Sequence, residues 1–167
     1  RSRCRRLRLD PLGAEAMERL LATYLPELGA DERGRLVTVA DGSPGRALLL
    51  AQEEGLAIAG LVNEVLAALP ALKPARAYAV ADTLARGETG FGNFMDLLRT
   101  GIATSVRDVV RGRGDEEQAR LVALRPLDAW GDVWHALTRL QDETERFSLD
   151  KRQAIVAGLE MLRGNMS

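Results

Sequence analysis

The sequence predicts an all-α fold, and three observations carry that expectation. Apolar residues make up 46% of the chain but aromatic residues only 4%. A core must therefore come mostly from Leu, Val and Ala, a composition that favours helices over strands. Apolar residues also recur at three- and four-residue spacing from Met17 onward, whereas period-two alternation is confined to Arg6-Leu7-Arg8-Leu9. Finally, caps and breakers such as Pro26, Ser43-Pro44 and Asp115 divide the chain into helix-length pieces.

The totals narrow the classes. A chain of 167 residues suits one domain or two small ones. A formal net charge of -1 argues against a dedicated nucleic-acid binder. A single cysteine excludes an internal disulfide and suits a reducing, cytoplasmic setting. No apolar run approaches the roughly 20 residues that span a bilayer, and no secretory signal is present. Because the chain opens on Arg1 rather than Met, it reads as a piece of something longer.

Taken in order, Arg6 to Leu9 predicts a short strand, ended by Asp10-Pro11-Leu12-Gly13. Met17, Leu20, Leu21 and Tyr24 form a helical stripe, stopped by Pro26. Asp31 is a candidate cap for a second short helix carrying Leu36, Val37 and Ala40. Ser43 caps a third, with Pro44 at its first position, where the missing N–H costs nothing, and Gly42 permits the sharp turn before it. From Gly55 the pattern shifts to longer helices. Leu56 to Leu69 is almost wholly apolar and is expected to be buried on most sides. Arg76 to Arg86 is a helix with Tyr78, Ala81 and Leu84 inward. Gly87 to Gly92 is a loop, after which Phe91, Phe94, Met95, Leu98, Ile102 and Val109 run at helical spacing to Arg111-Gly112-Arg113-Gly114. A short helix, Asp115 to Leu124, follows. Leu127, Trp130, Trp134, Leu137, Gln141 and Thr144 share one face of a long helix, and Asp150 to Arg163 presents Ile155, Leu159 and Leu162.

Catalytic chemistry is sparse. There is no phosphate-cradling Walker stretch, no metal-ligand cluster and no nucleophile triad. His135 and Cys4 are the sole residues of their types. His135 reads as a residue at a helix interface. Gly87, Gly90 and Gly92 resemble a phosphate loop only superficially, because no strand precedes them. Trp130 and Trp134 suit a core or a subunit interface better than base stacking, and Arg111 and Arg113 suit a solvated loop. On its residues alone the chain is a helical interaction module.

Two motifs together say more. Ser2-Arg3-Cys4 precedes the short strand, and some forty residues later comes Gly42-Ser43-Pro44-Gly45-Arg46-Ala47-Leu48. This pattern resembles the delta-prime subunits of bacterial DNA polymerase III, in the AAA+ clamp-loader family, as do Arg125-Pro126-Leu127-Asp128-Ala129-Trp130 and Leu149-Asp150-Lys151-Arg152-Gln153. The resemblance covers essentially the whole chain. It implies that residues 1–9 end a nucleotide-binding domain, that 10–54 form its three-helix lid and that 55–167 form a helical collar. It implies that Arg3 is an arginine finger presented in trans to ATP held by a neighbouring motor (gamma/tau) subunit. It further implies delta as a second partner, the sliding clamp and primed DNA as indirect ones, and no membrane. The Gly42 to Arg46 turn matches the place of a sensor-2 arginine in active relatives. Here that position is Gly45, and Arg46 comes one step later, a displacement of about 100° around a helix. The resemblance therefore implies a non-hydrolysing accessory subunit of the replicative polymerase, with no cofactor or metal of its own in this piece. The other reading is a free-standing helical adaptor or regulatory domain.

Overall fold

The computed structural model describes residues 10–52, 55–85, 87 and 89–163. Among them the regular structure is helix throughout, in line with the all-α expectation. The anticipated strand at Arg6 to Leu9 lies outside the described residues. The chain divides into two compact units, Arg1–Leu56 and Ala57–Ser167.

The first unit contains α1 (Ala14–Tyr24), α2 (Ala30–Ala40) and α3 (Pro44–Leu50), each packed on the other two. Its core is small: Met17, Leu21, Leu36, Ala40, Ala47 and Leu50 are buried. Leu20 lies at the edge of that core, and Tyr24, expected to extend the stripe, is 67% exposed. The α1 stripe runs out because the helix ends at that residue. The expected cap on α2 is corrected. Gly29 occupies the N-cap without a side-chain bond, and Asp31 sits inside the first turn, where its charge still meets the positive end of the helix dipole. Arg33 anchors this helix instead. Its Nε donates to Glu18 Oε1 of α1 at 2.9 Å, and Nη1 donates to the Leu28 carbonyl.

In the second unit α6 (Gly90–Val110) is the central element, packed against α5 (Pro74–Leu84), α7 (Glu116–Val122), α8 (Leu127–Arg146) and α9 (Lys151–Arg163). Its buried face carries Phe91, Phe94, Met95, Leu98 and Ile102, while Val109, expected on the same stripe, is only half-buried. Helix α4 (Gly55–Ala68), which belongs to this unit from Ala57 onward, approaches α6 at Gly101. A Cβ at Gly101 would sit 2.9 Å from Leu66 Cδ1, so a larger residue there would push α4 away. The expectation that α4 is buried on most sides is corrected. Only one face, Ile58, Val62 and Val65, is buried, and Leu56 is 58% exposed. The outward positions Ala57, Gly60 and Ala67 are small, so exposing them costs little apolar area.

Two further faces differ from the sequence reading. Tyr78 points outward at 40% exposure, with the Arg152 guanidinium 5.1 Å from its ring centroid. On α8, Trp130, Leu137, Gln141 and Thr144 are buried as expected, but Leu127 and Trp134 are exposed. The Arg99 guanidinium lies 5.6 Å from the Trp134 ring. Trp130 is the true anchor. Its Nε1–H donates to the Val122 carbonyl at 3.1 Å, and Arg125 lies 4.7 Å over the ring. Arg125 also donates to the Met161 and Leu162 carbonyls at the end of α9. These last-turn carbonyls lack intrahelical partners. Burial lowers the Arg125 pKa, yet a guanidinium stays charged and serves as a cation at the negative end of the helix dipole.

Candidate functional site

The sequence concentrates its functional signal in the turn between α2 and α3. Helix α2 stops at Ala40 because the next two residues leave helical space: Asp41 has φ 48° and ψ 49°, and Gly42 has φ 74°. The Ser43 N–H donates to the Ala40 carbonyl at 3.0 Å and closes the turn. Two successive positive φ values are the mark of a type I′ turn, for which Asp-Gly is a favoured pair. Ser43 then returns to extended geometry and caps α3. Its Oγ accepts from the Arg46 N–H at 3.3 Å, and Pro44 occupies the first helical position. The cap directs Ala47 and Leu50 into the core of the first unit.

The turn also holds the chain that enters α1. Leu12 N–H donates to the Gly42 carbonyl at 2.9 Å. A Cβ at Gly42 would lie 2.6 Å from Pro11 Cβ and 2.7 Å from the Leu12 carbonyl oxygen. Glycine is thus required twice, for its backbone angle and for this close approach. Gly45 contrasts with it: nothing lies within 4 Å of the place its Cβ would take. The missing side chain at Gly45 is therefore not imposed by packing. Arg46 is half-buried, and its backbone N–H is committed to the cap.

Ser2, Arg3 and Cys4 lie outside the described residues. The other sequence candidates lie in the second unit. His135 is exposed, its ring edge-on to Trp134 at 5.4 Å, which corrects its placement at a helix interface. The expected loop Gly87 to Gly92 is shorter, because Gly90 and Gly92 already lie in the first turn of α6. Arg113 pairs with Asp108 at 3.3 Å beyond the end of α6. Among the described residues no three of His, Cys, Asp and Glu come together as a metal site, and no helix is long and apolar enough to cross a membrane.

Sequence reasoning missed the arginines that hold each unit together. Arg33, Arg125 and Arg152 look like ordinary surface charges in the sequence. A partner near in space but far along the chain, 36 and 37 residues away for Arg125 and 70 for Arg152, leaves no local pattern. The first unit also has a cavity of about 620 Å³, with Leu28, Leu36, Val39, Leu50 and Leu56 among its lining residues. Its size falls within the usual ligand range of roughly 300–1,000 Å³, but its walls are mostly apolar and bring no catalytic pair together. No protein-family model, curated protein or solved structure matches this chain.

Proposed function

We propose that this chain is the lid and collar region of a clamp-loader subunit of the delta-prime kind. It acts as a non-hydrolysing scaffold within an assembly that loads a sliding clamp on primed DNA. The observation that carries the reading is the pairing of Ser2-Arg3-Cys4 with the Gly42-Ser43-Pro44-Gly45 turn, on a chain whose three-helix unit is followed by a larger helical one. Arg3 supplies the one chemical contribution, a permanently charged planar guanidinium offered to phosphoryl oxygens of ATP on the neighbouring motor subunit. Such fingers are worth on the order of a thousandfold or more in rate. The turn lacks an arginine at Gly45, which agrees with a subunit that hydrolyses nothing itself.

Exposed apolar and aromatic side chains on the second unit support the scaffold role. Leu127, Trp134, Phe147 and Leu149 are all more than a third exposed, the kind of residue that covers a neighbour in an assembly. Mixed at micromolar concentration with motor and delta subunits, the chain should co-migrate with them on size exclusion. Arg3→Ala in the complete protein should leave assembly intact and depress ATP hydrolysis by the motor subunit. Separate elution of the wild-type chain would favour a free-standing helical adaptor.

A further inference from the structure

We propose that the apolar cavity of the first unit is a docking groove for an amphipathic helix of a partner protein. That helix carries a cation and an anion one turn apart beside its apolar stripe. The proposal goes beyond the clamp-loader reading and does not depend on it. The cavity holds about 620 Å³, and every residue that lines it belongs to the first unit. Leu36 and Leu50 are buried and form its floor. Its lips differ. Val39 is 45% exposed and Leu56 58%. Two large apolar side chains thus border one concavity while still in contact with water, an arrangement that favours an occupant covering both.

Shape and charge select a helix over a small ligand. A small-molecule site hides most of its occupant, whereas the exposed lips here leave the space open along one side. One wall is a face of α2 that runs through Glu32, Arg35, Leu36 and Val39. From Glu32 to Val39 the helix rises about 10 Å, or two turns. A second helix laid along that length would present apolar residues at i, i+3 or i+4 and i+7. Glu32 and Arg35 stand exposed on the rim. Their spacing allows opposite charges to pair, yet among the described residues neither makes an ion pair, while the neighbouring Arg33 is bound to Glu18. A fatty acid or other single-headed ligand would answer one of these charges and oppose the other. A helix answers both, with Lys or Arg facing Glu32 and Asp or Glu facing Arg35 one turn away. Charges so placed fix orientation and register more than affinity.

The test selects binders to the 167-residue chain from a displayed library of helix-forming peptides. Enriched peptides should carry apolar residues at i, i+3 or i+4 and i+7, with a basic and an acidic residue one turn apart on the flank. In fluorescence anisotropy they should bind Val39→Asp and Leu56→Asp on the order of tenfold or more weakly than wild type. Both side chains are exposed, so each variant should keep the wild-type thermal midpoint, and either one decides the matter should the other fail to fold. The double reversal Glu32→Lys/Arg35→Glu should enrich peptides with the two charges exchanged. Absence of enrichment overturns the proposal, as do peptides that bind Val39→Asp and Leu56→Asp as tightly as wild type, or an unchanged charge order after the reversal. A thermal midpoint raised by decanoate in wild type but not in Val39→Asp, with no peptide enriched, would make the cavity a small-molecule site and likewise overturn it.

Discussion

The two units solve the same problem with different means. The second unit is organised around one long helix, α6, whose stripe of Phe91, Phe94, Met95, Leu98 and Ile102 is buried. Among its described residues the α1–α3 unit has six buried apolar side chains, two of them alanines, on three short helices. Apolar burial grows with element length, so short helices leave more of the specification to local chemistry. In the first unit that chemistry is a left-handed Asp-Gly turn, a Ser-Pro cap and the Arg33 bond to Glu18. In the second it is supplementary, as in the Trp130–Arg125 arrangement that joins α7, α8 and the end of α9.

The largest effect that tests this contrast comes from equal deletions in the two cores. Leu21→Ala and Leu98→Ala each remove a fully buried side chain and should cost about 2–5 kcal/mol. In α1 that loss should remove hydrogen-exchange protection from all three helices. In α6 it should lower the global unfolding midpoint while native protection persists. Retained protection across α1–α3 in Leu21→Ala would refute the narrow-core account.

Next in size, Trp130→Phe keeps the ring burial but leaves the Val122 carbonyl unpaired. Removing the partner of a buried acceptor costs about 1–3 kcal/mol, to be read as a lower urea midpoint at unchanged slope. A change under a few tenths would demote Trp130 from anchor to filler.

Caps give a finer comparison. Asp115 and Gln118 form a reciprocal capping box at α7, with bonds of 2.8 and 3.0 Å, whereas Ser43 makes a single 3.3 Å bond at α3. Cap removal costs about 0.5–2 kcal/mol, so Asp115→Ala should fall nearer the upper end and Ser43→Ala nearer the lower. The reverse order in thermal melts would show that unit size outweighs cap geometry.

The smallest effect is electrostatic. Glu64 of α4 accepts two bonds from Arg76 of α5, at 2.8 and 2.5 Å, on an exposed surface. The hydrogen bonds from Arg76 hold the Glu64 carboxyl below its ordinary range, with the guanidinium charge adding to them. A depressed carboxylate stabilises the fold above its unfolded pKa, and the contribution disappears as pH falls through the folded value. Glu64→Gln should therefore melt slightly below wild type near pH 7, with the gap closing as pH falls below the ordinary carboxylate range and in about 1 M salt. A gap of constant size across pH would assign the effect to packing.

Much of the helical plan is written in short-range patterns. The stripe from Phe91 to Ile102, the Ser43-Pro44 start and the stop at Arg111 to Gly114 each depend on residues within a few positions of one another, and the structure places helices accordingly. Legibility ends where burial depends on a distant partner. Trp130 and Trp134 lie one turn apart on α8, yet one is 2% exposed and the other 37%. No periodicity distinguishes them, because the side that receives cover is decided by Val122, Arg125 and the end of α9. Tyr78 turned outward for the same kind of reason, beneath Arg152 from 74 positions further on (152 − 78). The candidate turn shows both sides. The motif and its cap can be read from Gly42 to Arg46. That Gly42 is also pressed against Pro11 and Leu12, however, is a three-dimensional fact, since a missing Cβ leaves no trace in sequence of the neighbour that excludes it.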